Sequence, residues 1–127
     1  MKTTLYASTL LYQAIAASPL KTAINGGVYK DERPKDSAKE DVVINTITID
    51  SGSAQRAVCN VNIHVPRELS GKINHTRINV LAELAKVILD EAYATAHNFW
   101  TENQSLIVDE IDCYYNFRLR FKIHNSN

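Results

Sequence analysis

The sequence is poor in the residues and spacings that mark a metal site, a secreted scaffold or a membrane span, and each shortage narrows what the chain can be. It has two cysteines, Cys59 and Cys113, far apart and without C-x-x-C spacing or a partnering His motif. That pattern argues against a zinc site and against a disulfide-stapled fold, and a reducing intracellular setting fits best. The four histidines, His64, His75, His97 and His124, fall on different elements with no H-x-x-x-H or H-E-x-x-H spacing, so no metal is expected. No apolar run approaches the about eighteen residues of a membrane span. Lys2 is followed by no apolar stretch ending in a small-residue cleavage site, so neither export by a visible signal nor membrane embedding is expected. Net charge is missing too. Lys and Arg number 14 and Asp and Glu number 14, so no long-range field draws nucleic acid or an anionic surface, and any such contact must be local.

Motifs that carry chemistry are equally scarce. There is no G-x-S-x-G, no G-x-x-x-x-G-K-[ST] and no G-x-G-x-x-G, and Gly26-Gly27 alone does not make a nucleotide loop. No catalytic residue, cofactor or metal ligand is assigned. Asp109, Glu110 and Asp112 form an acidic cluster suited to acid/base work or a cation, but it falls where two strands are expected to join, the ordinary place for solvated turn carboxylates. Cys59 reads as a small core residue, and Cys113 has no basic neighbour in sequence to activate it.

What remains is an ordinary globular composition, 45% hydrophobic and 22% charged over 127 residues, read as one domain spanning 1–127. Its longest helical repeat runs from Thr76 to Trp100. At about 100° per residue, Ile78, Leu81, Ala82, Ala85, Ile88, Leu89, Ala92 and Ala96 share one side, opposite Asn79, Glu83, Lys86 and Asp90. Val80, Leu84 and Val87 widen the apolar arc beyond one sheet face, which predicts a second contact, with another helix or another subunit. Asn74 or Thr76 is expected to cap the start, and Lys86 and Asp90 to meet one turn apart.

Leu5 to Ser18 reads as a shorter helix ended by Pro19, and Asn25-Gly26-Gly27 as a sharp turn tolerant of positive φ, leading into a short strand at Val28-Tyr29. Lys30 to Asp41 is dense in charge of both signs around Pro34. It is predicted to project as a mobile loop, either a solvated connection or a docking arm carrying Lys30, Arg33, Pro34, Lys35 and Lys39. Asp41 to Asp50 and Gln55 to Val65 form a hairpin across Ser51-Gly52-Ser53, with Ala57, Cys59, Val61, Ile63 and Val65 facing inward. Thr101 to Ser105 reads as a polar linker before a strand at Leu106-Ile107-Val108 and Ile111. In the last strand Tyr115, Phe117, Leu119, Phe121 and Ile123 alternate with Asn116, Arg118, Arg120, Lys122 and His124. Arg118, Arg120 and Lys122 are the candidate interface or channel residues, about 6.6 Å apart along one face. On that face they either follow a phosphate backbone, pair with a neighbour's carboxylates, or simply keep an edge soluble.

The fold expected from these elements is α+β: an antiparallel or mixed sheet of four to five strands on one long helix, with a shorter N-terminal helix. The ensemble resembles the tail-completion, or tail-terminator, proteins of long-tailed bacteriophages and prophages. The likeness rests on the N-terminal helix before Ile24-Asn25-Gly26-Gly27-Val28-Tyr29, the charged Pro-containing loop and the Val42-Val43-Ile44 strand. It continues through Val61-Asn62-Ile63-His64-Val65, the long helix and the closing Leu119-Arg120-Phe121 strand. Where that family carries a Pro-aromatic pair ahead of the second strand, this chain has Glu40-Asp41. The resemblance implies a non-enzymatic ring, commonly hexameric, that caps a tail tube and joins it to the head. Its implied partners are other copies, tail-tube and head-connector proteins, with transient non-specific DNA contact, in the virion and in the host cytoplasm during assembly. The alternatives are a small intracellular module dimerising through its sheet, and an enzyme of unrecognised type using Asp109, Glu110 and Asp112.

Overall fold

A computed structural model describes residues 3–49, 54–95, 99–108 and 113–124. Its elements are α1 (Thr4–Ala16), α2 (Pro19–Ala23), β1 (Val28–Lys30), β2 (Asp41–Ile49), β3 (Ala54–His64), α3 (His75–Thr95), β4 (Phe99–Val108) and β5 (Cys113–His124). The strands form one mixed sheet in the order β1-β2-β3-β5-β4, with β1 parallel to β2 and the rest antiparallel. This is the expected α+β architecture. Asp109, Glu110, Ile111, Asp112, His97, Ala96 and the Ser51-Gly52-Ser53 turn lie outside the described residues, as do the side chains of Ala92, Ile123 and His124.

The period-two pattern of β3 and β5 decides which face is covered. Ala57, Cys59, Val61 and Ile63 stand opposite Phe121, Leu119, Phe117 and Tyr115, and all but Tyr115 are buried in one core. Onto it α1 lays Ala7, Leu11 and Ile15, at i, i+4, i+8, and α3 lays Ile78, Leu81, Ala85 and Leu89. Each fully buried aliphatic side chain contributes roughly 1.5 to 3 kcal/mol, so a one-residue slip that turned Asn60 and Asn62 inward would forfeit several such terms at once. Inside this core burial pushes the Cys59 thiol up to about 11, opposed by its contact with the Thr46 hydroxyl.

Several expectations are corrected. The long helix ends by Thr95, and Phe99 and Trp100 open β4 instead, because Phe99 pairs in register with Phe121 and is buried against its ring. Thr101 to Ser105 is strand rather than linker: on the sheet's edge, polar side chains can stay wet while the backbone is satisfied by β5. The first helix stops at Ala16. Ser18 then caps α2, its Oγ accepting from the Leu20 N–H at 3.3 Å with Pro19 in the first turn. Asn74 caps α3 by accepting from the Arg77 N–H at 3.2 Å.

Gly26 and Gly27 do not take positive φ; among the described residues that backbone belongs to Gly71, at 88°, and to Asp31, at 66°. Gly26 supplies room, since a Cβ there would collide with the Glu40 carbonyl and the Asp41 carboxylate. The charged loop is not a free arm throughout. It is the crossover between parallel strands β1 and β2, so it must return along the sheet, and its far end is held down. Asp41 accepts from Gly27 N–H at 3.0 Å, from the Ser37 hydroxyl and from Arg33 Nη1 at 3.2 Å.

Candidate functional site

The helices cover one face of the sheet and leave the other open, and the candidate residues of the last strand stand on that open face. β5 is central, between β3 and β4, so its outward row has neighbours on both sides. Arg118, Arg120 and Lys122 face Asn60, Val58 and Arg56 on β3, while Asn103 and Trp100 face Arg118 and Arg120 from β4. An irregularity in β4 between Thr101 and Asn103 brings Glu102 toward this row. Its carboxylate lies 2.8 Å from Arg120 Nε and 3.5 Å from Arg118 Nε. Two of the three candidate cations are therefore paired within their own chain, a partner that strand alternation alone did not reveal. These pairs are partly exposed and contribute on the order of 0 to 1 kcal/mol each. Lys122 is exposed beside Arg56.

Farther along the same face the strands carry a ladder of amides. Asn60 Nδ2 donates to Asn45 Oδ1 at 3.1 Å, and Asn116 Nδ2 donates to Asn60 at 3.1 Å and to Asn62 at 2.7 Å. His64 and Tyr114 close that end, their rings 4.8 Å apart. The face is thus polar, amide-rich and cationic at one end.

The docking-loop candidates are dispersed. Lys30 reaches back to α1, its Nζ 3.4 Å from Thr9 Oγ1 and 5.6 Å from the centre of the Tyr12 ring, and Arg33 is spent on Asp41. Pro34, Lys35 and Lys39 are exposed, in a stretch turned by the Ser37 N–H to Pro34 carbonyl bond. The resulting surface presents two lysines, not a formed site.

Sequence reasoning missed the partly buried clasp that joins this loop to the helices. Arg77, in the first turn of α3, donates from Nε to Glu40 Oε2 at 2.6 Å, from Nη2 to Glu40 Oε1 at 2.9 Å, and from Nη2 to the Ala23 carbonyl at 2.6 Å. Asn25 completes it, accepting from the Glu40 N–H at 2.7 Å. The Arg77 hydrogen bonds hold the Glu40 carboxyl below its ordinary value against the opposing effect of burial, and Glu40 in turn raises Arg77. Its only trace in the sequence is Glu40-Asp41 standing where the resemblance leads one to expect a Pro-aromatic pair.

A third surface lies on α3. The wide apolar arc divides: Ile78, Leu81, Ala85 and Leu89 enter the core, while Val80 and Val87 remain 52% and 55% exposed, with Leu84 half-buried between them. On the other flank of α3 a cleft of about 500 Å³ opens toward Leu106, Gln104 and Tyr115, floored by Ile78 and Ala82. No protein-family model matches this sequence, and a search of curated proteins finds no relative. Among the described residues, no helix is long and apolar enough to cross a membrane.

Proposed function

We propose that the chain is a structural assembly protein of the tail-completion type, a subunit of a ring that caps a tail tube and joins it to the head. The observation that carries this reading is the stripe on α3 made by exposed Val80 and Val87 with half-buried Leu84 between them. It repeats at helical spacing on the helix that also organises the core, so a rigid apolar ridge is offered away from the domain. A ring needs such a ridge to meet a different surface on the next copy, because heterologous contacts close into rings. The cleft beside Leu106 is a concave surface of suitable size on the same molecule. Copies of itself, tail-tube and head-connector proteins are the partners, and no cofactor or catalytic step belongs to the role.

Light scattering on the eluting protein, followed by negative-stain imaging with and without purified tail tubes, tests the reading. Closed rings, alone or on tubes, are expected, and a Val80→Asp/Val87→Asp variant should stay monomeric with its fold intact. A monomer that also ignores tail tubes and head connectors would overturn it. A particle of two copies would favour the dimeric binding module instead.

A further inference from the structure

The cationic end of the open face holds an aromatic side chain that ring formation leaves unused. Trp100 is the chain's single tryptophan and is 46% exposed. It stands outward because the adjacent Phe99 is committed inward, its ring 4.9 Å from that of Phe121. Its cross-strand partner is Arg120, and the next pair across the sheet is Arg56 with Lys122. Arg56, Trp100, Arg120 and Lys122 border one recess of about 250 Å³. Glu102 offsets part of the charge of Arg118 and Arg120. Arg56 and Lys122, both exposed, add a local excess of positive charge to a chain of formal net charge zero. The amide ladder begins one step farther in, at Asn60 and Asn116.

We propose that this corner binds single-stranded nucleic acid, with one unpaired base stacked on Trp100 and the adjoining phosphates on Arg56 and Lys122. An indole face accepts any base, cations follow the backbone, and side-chain amides can meet base edges. A duplex satisfies the cations but keeps its bases stacked on each other, out of reach of the indole. Lys122 stands one strand over and two residues along from Trp100, roughly 8 Å away, and Arg56 one strand farther on β3, so the cations lie about one and two nucleotides from the indole. The site is complete in one chain and does not depend on ring assembly.

The single tryptophan is its own reporter. Titrating the wild-type protein with a thymidine dodecamer at low salt should quench its fluorescence saturably, and anisotropy of the labelled strand should give the same affinity. Trp100→Ala should weaken binding at least about five-fold, with little change in salt dependence, while Trp100→Phe keeps most of it. Arg56→Gln with Lys122→Gln should flatten the logarithmic salt slope by about 1.4. All these positions are exposed, and thermal melts within a few degrees of wild type confirm that each variant folds. The proposal is overturned if the strand neither binds nor quenches, if Trp100→Ala binds as wild type does, or if a duplex of equal length binds as tightly without quenching. Rings without strand binding would remove this inference and leave the assembly reading standing, and the reverse result would do the opposite.

Discussion

Replacing Arg77 with Met removes the clasp's cation while keeping most of its aliphatic bulk, and the cost follows from what is left behind. Glu40 has a side chain only 9% exposed, and without Arg77 it retains the long bond from the Asn25 N–H at 3.3 Å. A hydrogen bond to a charged group contributes about 1.5 to 3 kcal/mol, and breaking a fully buried pair costs about 3 to 5. Arg77, however, is 35% exposed along its side chain, so water already competes for it. A value between the exposed and buried limits, about 2 to 3 kcal/mol, is expected. At roughly 4 °C per kcal/mol for a domain of this size, Tm should fall by about 8 to 12 °C. The reverse substitution, Glu40→Gln, should cost less, about 1 kcal/mol, because the orphaned group is then a cation that can turn to water.

The pH dependence tests the cause. In the wild type Glu40 is held below its ordinary value of 4.5, chiefly by the Arg77 hydrogen bonds. A carboxyl with a lowered folded value stabilises the protein fully above the unfolded value, and that stabilisation is lost as pH falls through the folded one. In Arg77→Met the largest remaining influence is burial, which acts in the opposite direction, so acid should relieve the variant. Urea melts at pH 7 and near pH 3.5 should therefore show the gap between the two proteins closing in acid. A loss under about 0.5 kcal/mol at pH 7, or a gap that stays constant, would refute the reasoning.

Two further perturbations probe the same architecture. Gly26→Ala should destabilise by about 1 to 3 kcal/mol, read from denaturant midpoints, because the new methyl meets the Glu40 carbonyl as well as the Asp41 carboxylate, and the backbone cannot swing aside as a side-chain tip can. Cys59, raised to about 11 from 9.0, stabilises the fold fully below pH 9 and progressively less as pH climbs toward 11. Thiol titration at pH 8 should accordingly leave Cys59 unlabelled until denaturant is added, and rapid labelling of the native protein would contradict its burial.

How far the sequence disclosed this molecule depended on whether a residue's role was periodic or pairwise. The rows Ala57 to Ile63 and Phe117 to Phe121, the Val80, Leu84 and Val87 ridge and the Asn74 cap were all readable, because each follows from a spacing along one element. The clasp was not, since Glu40 and Arg77 are 37 residues apart and nothing local distinguishes a buried carboxylate from a solvated one. The same limit hid Glu102, whose polar surroundings looked like a linker until β5 gave them a partner strand. Charge balance was the misleading clue at Lys30 to Asp41. Mixed charge there predicted a projecting, mobile loop, and Lys30 to Glu32, Pro34 to Asp36, Ala38 and Lys39 are indeed exposed, yet Arg33, Glu40 and Asp41 are fastened to the fold by ion pairs. If the clasp is what holds that crossover, Arg77→Met should raise amide exchange across the whole loop, well beyond the protection lost at Glu40 itself. Exchange confined to Glu40 and its neighbours would mean that Asp41, with its bonds from Gly27, Ser37 and Arg33, anchors the loop alone.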